Sequence, residues 1–471
     1  MSDRLRLGVG RALDGARAAD GGAFEVPPHH LTTHGVVVGM TGSGKTGLVT
    51  VLAEEALGAG IPVLVVDVKS DLPNLLLAFP SFDVAHVRPW AEASRAPGDS
   101  RSVDEIANAM ASARKAELEA WGIDEAYLKA WHSRTAIRVV TPGSTAGESL
   151  HLLSSLERRN ARWDDDVESA RATLSAAISL VMRLLGRDPD PAKSREHVLL
   201  SVLAERRLLA GDTAELAELL PEVIDPPMAE IGALPIDAFL GKGDRKALAA
   251  GLNTLLASPT FASWRQGATL DVGEWMTPKD GKTPAVILSV AHLDDDERTL
   301  VLGVLFEEVL SWMRTLPGSQ RLKALVIFDE VYGFMPPHPA NPPTKRPLVA
   351  LMKQARAFGV GVVLATQNPM DLDYRSLSNA GFWCVGRLQT DADRQRVVDG
   401  LSAAGDPDSA RKLGQLVKRL RPRHFLIRDV HDGGELTVVQ ARCAMSMLRG
   451  PMTRSELMRA LEAREAGETP E

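Results

Sequence analysis

Eight residues of this chain have the spacing of a phosphate cradle: Gly39-Met40-Thr41-Gly42-Ser43-Gly44-Lys45-Thr46, followed by Gly47. The pattern G-x-x-x-x-G-K-[ST] holds phosphate because its glycines let successive backbone N–H groups turn inward on the anion. A helix that starts at the cradle adds partial positive charge at the same point. Lys45 has the reach for β- and γ-phosphates, and the Thr46 hydroxyl is a ligand for Mg²⁺.

A cradle alone binds a nucleotide; hydrolysis needs acids. Asp329-Glu330 closes the apolar run 324–328. There an aspartate can hold Mg²⁺, and a glutamate can orient and deprotonate the attacking water. Thr366-Gln367 closes another apolar run. An amide there can bond the γ-phosphate or the water and lose that bond after hydrolysis; otherwise it is an ordinary strand end. Asp67, in Asp67-Val68-Lys69-Ser70-Asp71, can approach the metal, order the cradle, or simply cap a helix. Phosphoryl transfer also gains from a cation on the developing charge, often an arginine of a neighbouring subunit. Arg387 and Arg356 flank strands and are the candidates, with Arg394 behind them. Each can equally be a surface or ion-pairing arginine.

The positioning elements follow from hydrophobic pattern. The run 35–38 is a strand, 47–55 a helix, and the β-branched run 61–67 a second buried strand. This is the βαβ opening of an α/β fold with a parallel sheet. Further strands are expected at 285–290, 324–328, 361–366, 382–386 and 425–427, with 436–439 closing an edge. The helix over 167–185 puts Ala170, Leu174, Ala177, Ile178 and Val181 on one stripe, with Thr173 its one polar member. Asp164-Asp165-Asp166 and Asp294-Asp295-Asp296 read as acidic helix starts rather than metal ligands. The organisation is then a short N-terminal segment (1–30), a first part of the core (31–90), and a mainly helical insertion (91–275) with one core strand near 135–141. A second part of the core (276–445) and a C-terminal helix with a frayed tail (446–471) complete it. About 280 residues separate Lys45 from Asp329, yet both would serve one site.

Bulk properties set limits. The 471 residues can bury a large core, and a formal net charge of −7 argues against a generally basic, nucleic-acid-coating surface. Two cysteines, Cys384 and Cys443, make no disulfide framework or zinc pattern and read as buried thiols of a cytoplasmic protein. No signal peptide is visible, and no apolar run approaches a membrane span, so no membrane association is expected.

The segments HGVVVGMTGSGKTGL, VLVVDVKSDLPNLL, VIFDEVYGFMPP, QARAFGVGVVLATQNPMDLDYRSLSNAGFWCVGRL and AMSMLRGPMTR occur in that order. Together they resemble HerA-like ATPases of the HerA/FtsK group of P-loop motors. The resemblance implies a RecA-like core with an additional strand, glutamate-assisted ATP hydrolysis, a homo-oligomeric (hexameric) ring and translocation on double-stranded DNA. It casts Lys45 and Thr46 as phosphate and Mg²⁺ residues, Asp329 and Glu330 as the metal and base pair, and Gln367 as sensor. Asp67 matches the strand-end aspartate and Arg387 the arginine after the sensor strand. Only about 30 residues precede the first strand, so the N-terminal β-barrel of HerA helicases is not expected, and with it a docked nuclease partner is in doubt. The chain reads as a shortened member of the group. Arg411-Lys412, Lys418-Arg419, Arg421 and Arg423 form a basic run that either faces a phosphate backbone or is one solvated helix face. An ATP-gated switch or assembly ATPase, or a motor on another polymer or on protein, would carry the same nucleotide site.

Overall fold

The computed structural model describes residues 4–11, 22–96, 98–159, 162–367, 372–373, 379–401 and 407–468. Its backbone is one sheet of eleven strands. In chain order these are β1 (Leu5–Arg11), β2 (Ala23–Val26), β3 (Gly35–Val38), β4 (Val63–Asp67), β5 (Thr135–Val140) and β6 (Thr283–Ser289). β7 (Ala324–Asp329), β8 (Val360–Thr366), β9 (Phe382–Val385), β10 (His424–Asp429) and β11 (Leu436–Ala441) follow. The spatial order is β2-β1-β11-β10-β9-β3-β8-β7-β4-β6-β5. From β9 to β5 every pairing is parallel, and from β9 to β2 every pairing is antiparallel.

β8 and β7 lie between the cradle strand β3 and the second strand β4. This is the additional-strand arrangement of a RecA-like core. Strands β3, β4, β6, β7 and β8 are buried along their length, as continuous apolar runs require. Alternate residues serve opposite faces. Val36, Leu64, Val286, Val326 and Val362 face one layer; Val37, Val63, Ile287, Ile327 and Val363 face the other.

The helical middle of the chain forms the first of these layers. Helix Val167–Leu184 packs on helix Asp295–Thr315. Their buried residues belong to one core with the sheet, so the insertion from about residue 150 onward covers one sheet face, while its first helices pack on the other. Thr173, the polar member of its stripe, is buried and returns its hydroxyl to the Ala170 carbonyl at 3.0 Å. The second layer holds the cradle helix Lys45–Gly58 and the helices of residues 84–133.

The sheet edge differs from expectation. The N-terminal segment supplies β1 and β2, which extend the sheet beyond β11, so β11 is an interior strand and β2 the edge. The acidic runs do act as helix starts. Asp294 and Glu297 form a reciprocal capping box, and Asp166 accepts from the Ser169 N–H. Both cysteines are buried and unpaired, and burial pushes their thiols up. Among the described residues no helix is long and apolar enough to cross a membrane.

Candidate active site

The carboxyl ends of β3, β8, β7 and β4 lie side by side. Val38 pairs with Thr366, Asp329 with Ala365, and Phe328 with Val66. A doubly wound sheet places its ligand at this edge.

The cradle follows β3 directly. Its loop is fixed by the N–H of Gly39 on the Thr366 carbonyl at 3.2 Å and by the N–H of Met40 on the Arg387 carbonyl at 2.9 Å. Gly42 and Gly44 have φ of 78° and 93°, a region that side chains other than glycine rarely adopt. A Cβ on Gly44 would also lie 3.0 Å from the Arg423 backbone nitrogen. The helix begins at Lys45, so its first-turn N–H groups face the loop. Ser43 Oγ is buried and has no hydrogen-bond partner among the described residues. An orphaned hydroxyl inside a turn of N–H groups fits a phosphate oxygen. Thr46 is half-buried one residue into the helix, and a hydroxyl and a carboxylate such as those of Thr46 and Asp329 are the hard-oxygen donors that Mg²⁺ takes.

The acids meet the cradle across three strands. Lys45 Nζ contacts Asp329 Oδ1 and lies 3.0 Å from Glu330 Oε1. Gln367 Nε2 donates to the same Glu330 oxygen, and Thr41 Oγ1 donates to Gln367 Oε1 at 2.8 Å. Lys45, Thr41, Asp329, Glu330 and Gln367 thus form one network from β3, β7 and β8. Burial would raise the Glu330 carboxyl, but Lys45 and the hydrogen bonds from Lys69 and Gln367 hold it below the usual glutamate range. Those contacts favour its ionised form. Glu330 has φ 60°, and the next N–H, Val331, is tied to the Ala365 carbonyl at 3.0 Å. A non-glycine residue in that region is held there by its surroundings and aims the side chain across the sheet edge. A cleft of about 720 Å³ opens beside it, lined by Lys69, Tyr332, Phe334 and Gln367.

Asp67 takes a different position. It ends β4, is buried, and accepts from Ser289 Oγ at 2.9 Å and from the N–H groups of Lys69 and Asp71 at 3.3 and 3.2 Å. Burial pushes its carboxyl up to about 6. With both oxygens engaged, it orders the strand-end loop.

The arginines separate. Arg387 is exposed, and its peptide supports the cradle of its own chain. Arg356 is exposed in the turn before β8, at the opposite sheet edge, beside a second cleft of about 720 Å³ shared with His29, Lys353 and His431. Arg394 is buried, donates to the Leu388 and Gln389 carbonyls and pairs with Asp391, so it fastens a turn. Of the basic run, Lys418, Arg419 and Arg421 are exposed at the cradle edge. The side chains of Arg411 and Lys412 lie outside the described residues. Arg423 leaves the run: its N–H donates to the Ser43 carbonyl at 2.8 Å and its guanidinium meets Glu117. It is a support for the cradle.

Two contributors escaped sequence reasoning. Lys69 pairs with Glu330 at 2.7 Å. Glu54, on the cradle helix, is fully buried and accepts from Arg442, Met445, Ser446 N–H and Ser446 Oγ. Neither follows a periodic or motif signal; only the position of Lys69 in a strand-end segment hinted at it. His30, Asp429 and Asp432 also cluster, but there the His30–Asp429 hydrogen bond of 2.6 Å ties the short 3-10 helix Pro28–Thr33 to the end of β10.

A model of the helicase HerA-like C-terminal family matches residues 17–81, the segment with the cradle, Asp67 and Lys69. No curated protein matches the chain. Among solved structures the chain is similar to VirB4 of Thermoanaerobacter pseudethanolicus, with a TM-score of 0.52, 12% identity, and 94% of this chain and 98% of that one covered. It is similar too to the bacterial conjugative coupling protein TrwB in a trigonal form with sulphate, with a TM-score of 0.50, 13% identity, and 94% and 91% covered. The chain is thus HerA-like in the segment that carries its phosphate cradle, and its fold is the RecA-like fold of P-loop ATPases.

Proposed function

We propose that this protein hydrolyses ATP at the cradle and uses the cycle to drive a DNA-translocating motor. The observation that carries the first half is the convergence of Lys45, Asp329, Glu330 and Gln367 on one network although Lys45 and Asp329 stand 284 residues apart. Thr46 and Asp329 would hold Mg²⁺, whose chemistry is to neutralise charge developing on the phosphates. The cradle N–H groups and Lys45 bind and orient the triphosphate. Glu330, ionised and aimed along the sheet edge, accepts the proton of the attacking water. Gln367 bridges Glu330 and Thr41 of the cradle, so it is placed to register the γ-phosphate. Asp67 acts through the loop it orders.

A cation supplied in trans must stand clear of its own cradle. Arg356, on the far edge of the sheet, fits that requirement in a homo-oligomer, while Arg387 fits a role within its own subunit. A hexameric ring with duplex DNA in its channel is the assembly that the HerA likeness of residues 17–81 supports. The exposure of Lys418, Arg419 and Arg421 supports them as the candidates to meet a phosphate backbone, and contact there would be largely independent of base sequence. A nuclease or other effector partner has no residue of this chain assigned to it.

Phosphate release by wild type and Glu330→Gln, with Mg²⁺ and ATP, tests the catalytic half. The variant should bind a non-hydrolysable ATP analogue as wild type does and turn over about 10²- to 10⁴-fold more slowly. Equal turnover removes Glu330 from the mechanism.

A further inference from the structure

The strand-end loop after β4 carries a second cation at the Glu330 carboxylate. Lys69 Nζ lies 2.7 Å from Glu330 Oε1, the oxygen already approached by Lys45 and Gln367. We propose that Lys69 is a positioning residue for hydrolysis, holding the Glu330 carboxylate by one oxygen so that the other faces the water. This rests on the ATPase reading of the same site.

Nucleotide binding changes what the three donors do. Lys45 now serves Asp329 and Glu330 together. A triphosphate in the cradle is the stronger attraction for its ammonium. Lys69 and Gln367 then remain on Glu330 Oε1, and Lys69 is the one cation of the pair. Without it, a glutamate in a strained backbone conformation keeps a single neutral donor, and its direction is set by Gln367 alone.

Lys69 sits on a loop built to hold it. Its own N–H and that of Asp71 donate to Asp67 Oδ1, and Asp67 Oδ2 is fixed by Ser289. Ser70 has φ 61°, strain that persists where surroundings over-determine it. Here the surroundings come from the far end of the sequence. The Met452 N–H donates to the Ser70 carbonyl at 2.9 Å, and Asn74 Nδ2 donates to the Gly450 carbonyl at 2.8 Å. The segment 442–453 therefore braces the loop that presents Lys69 to Glu330. The Lys69 side chain is 45% exposed, and such an ion pair adds little to folding stability, so its geometry is better explained by what it aims.

The test compares Lys69→Ala and Lys69→Arg with wild type in Mg²⁺-ATP turnover and in binding of a non-hydrolysable ATP analogue, with Glu330→Gln in parallel. Lys69→Ala should lower kcat about ten-fold while analogue Kd stays within about two-fold, because the loss is confined to the hydrolytic step. Lys69→Arg, which keeps the charge-assisted bond, should recover at least half of the lost kcat. A Lys69→Ala kcat within about two-fold of wild type overturns the proposal, as does a loss mirrored in analogue binding or one that arginine does not restore. Equal turnover by wild type and Glu330→Gln would instead remove Glu330 from the mechanism, and this proposal with it, whereas no ATP turnover by wild type would sink the ATPase reading itself.

Discussion

At the scale of single residues, the site is a set of charges that hold each other. Lys45 is buried with two carboxylates; without it Asp329 loses its ion pair at a poorly solvated edge, while Glu330 keeps Lys69. The same ammonium is the group that must meet phosphate. Lys45→Ala should therefore raise the Kd for an ATP analogue about 10- to 100-fold, the worth of one charge-assisted bond. Equilibrium binding measures this, and wild-type affinity would remove Lys45 from the phosphate site. The residues named from the sequence were legible because their chemistry admits few substitutes: a turn with positive φ wants glycine, and a metal site wants a carboxylate. Lys69 was not legible in that way, since an exposed lysine after a strand is ordinary until its partner's position is known. Arg423 misled for the opposite reason. Charge pattern grouped it with a solvated run, and a backbone contact to Ser43 took it out.

At the scale of elements, parallel strands set the site and buried polar ties set the strands. The strands of the core were readable because burial on both faces gives unbroken apolar runs. The placement of β11 inside the sheet was not, because its neighbour β1 comes from the other end of the chain and no local pattern announces a long-range antiparallel partner. Two such ties make predictions. Arg442 and Glu54, 1% and 0% exposed, join the segment after β11 to the cradle helix. Arg442→Met should destabilise the fold by about 3–5 kcal/mol, because it leaves the Glu54 charge buried without its cation. Denaturant unfolding reads this out, and a change under about 1 kcal/mol would count against the pair as a structural tie.

His34, at the start of β3, accepts the Val362 N–H of β8 at 3.2 Å, a bond that needs a neutral ring. Burial, with the Arg356 charge behind it, lowers its pKa from 6.5 to about 4. The unfolded chain therefore takes up this proton first as pH falls. The contribution of His34 to stability is complete above about pH 6.5 and is lost as pH falls toward 4, by about 3 kcal/mol across that window. His34→Gln, which can still accept the N–H, should flatten that part of the stability–pH curve. An unchanged slope would exclude His34 as its source.

At the scale of the whole molecule, the sheet separates two sets of charged groups by edge. The carboxyl edge holds the cradle, the acids and the exposed Lys418, Arg419 and Arg421; the amino edge presents Arg356. That division suits a ring in which each subunit completes the site of the next. Light-scattering mass with Mg²⁺ and a non-hydrolysable ATP analogue should exceed that of a single chain, and a monomer would exclude a trans role for Arg356. The claim that the cycle works on DNA is most directly tested by ATP hydrolysis at low salt, titrated with duplex DNA from zero to saturation. The account predicts turnover that rises several-fold with duplex, depends on Glu330 at every point and weakens as salt screens the phosphate contacts. Hydrolysis that stays flat across the titration would contradict it, and would leave an ATP-gated switch in its place.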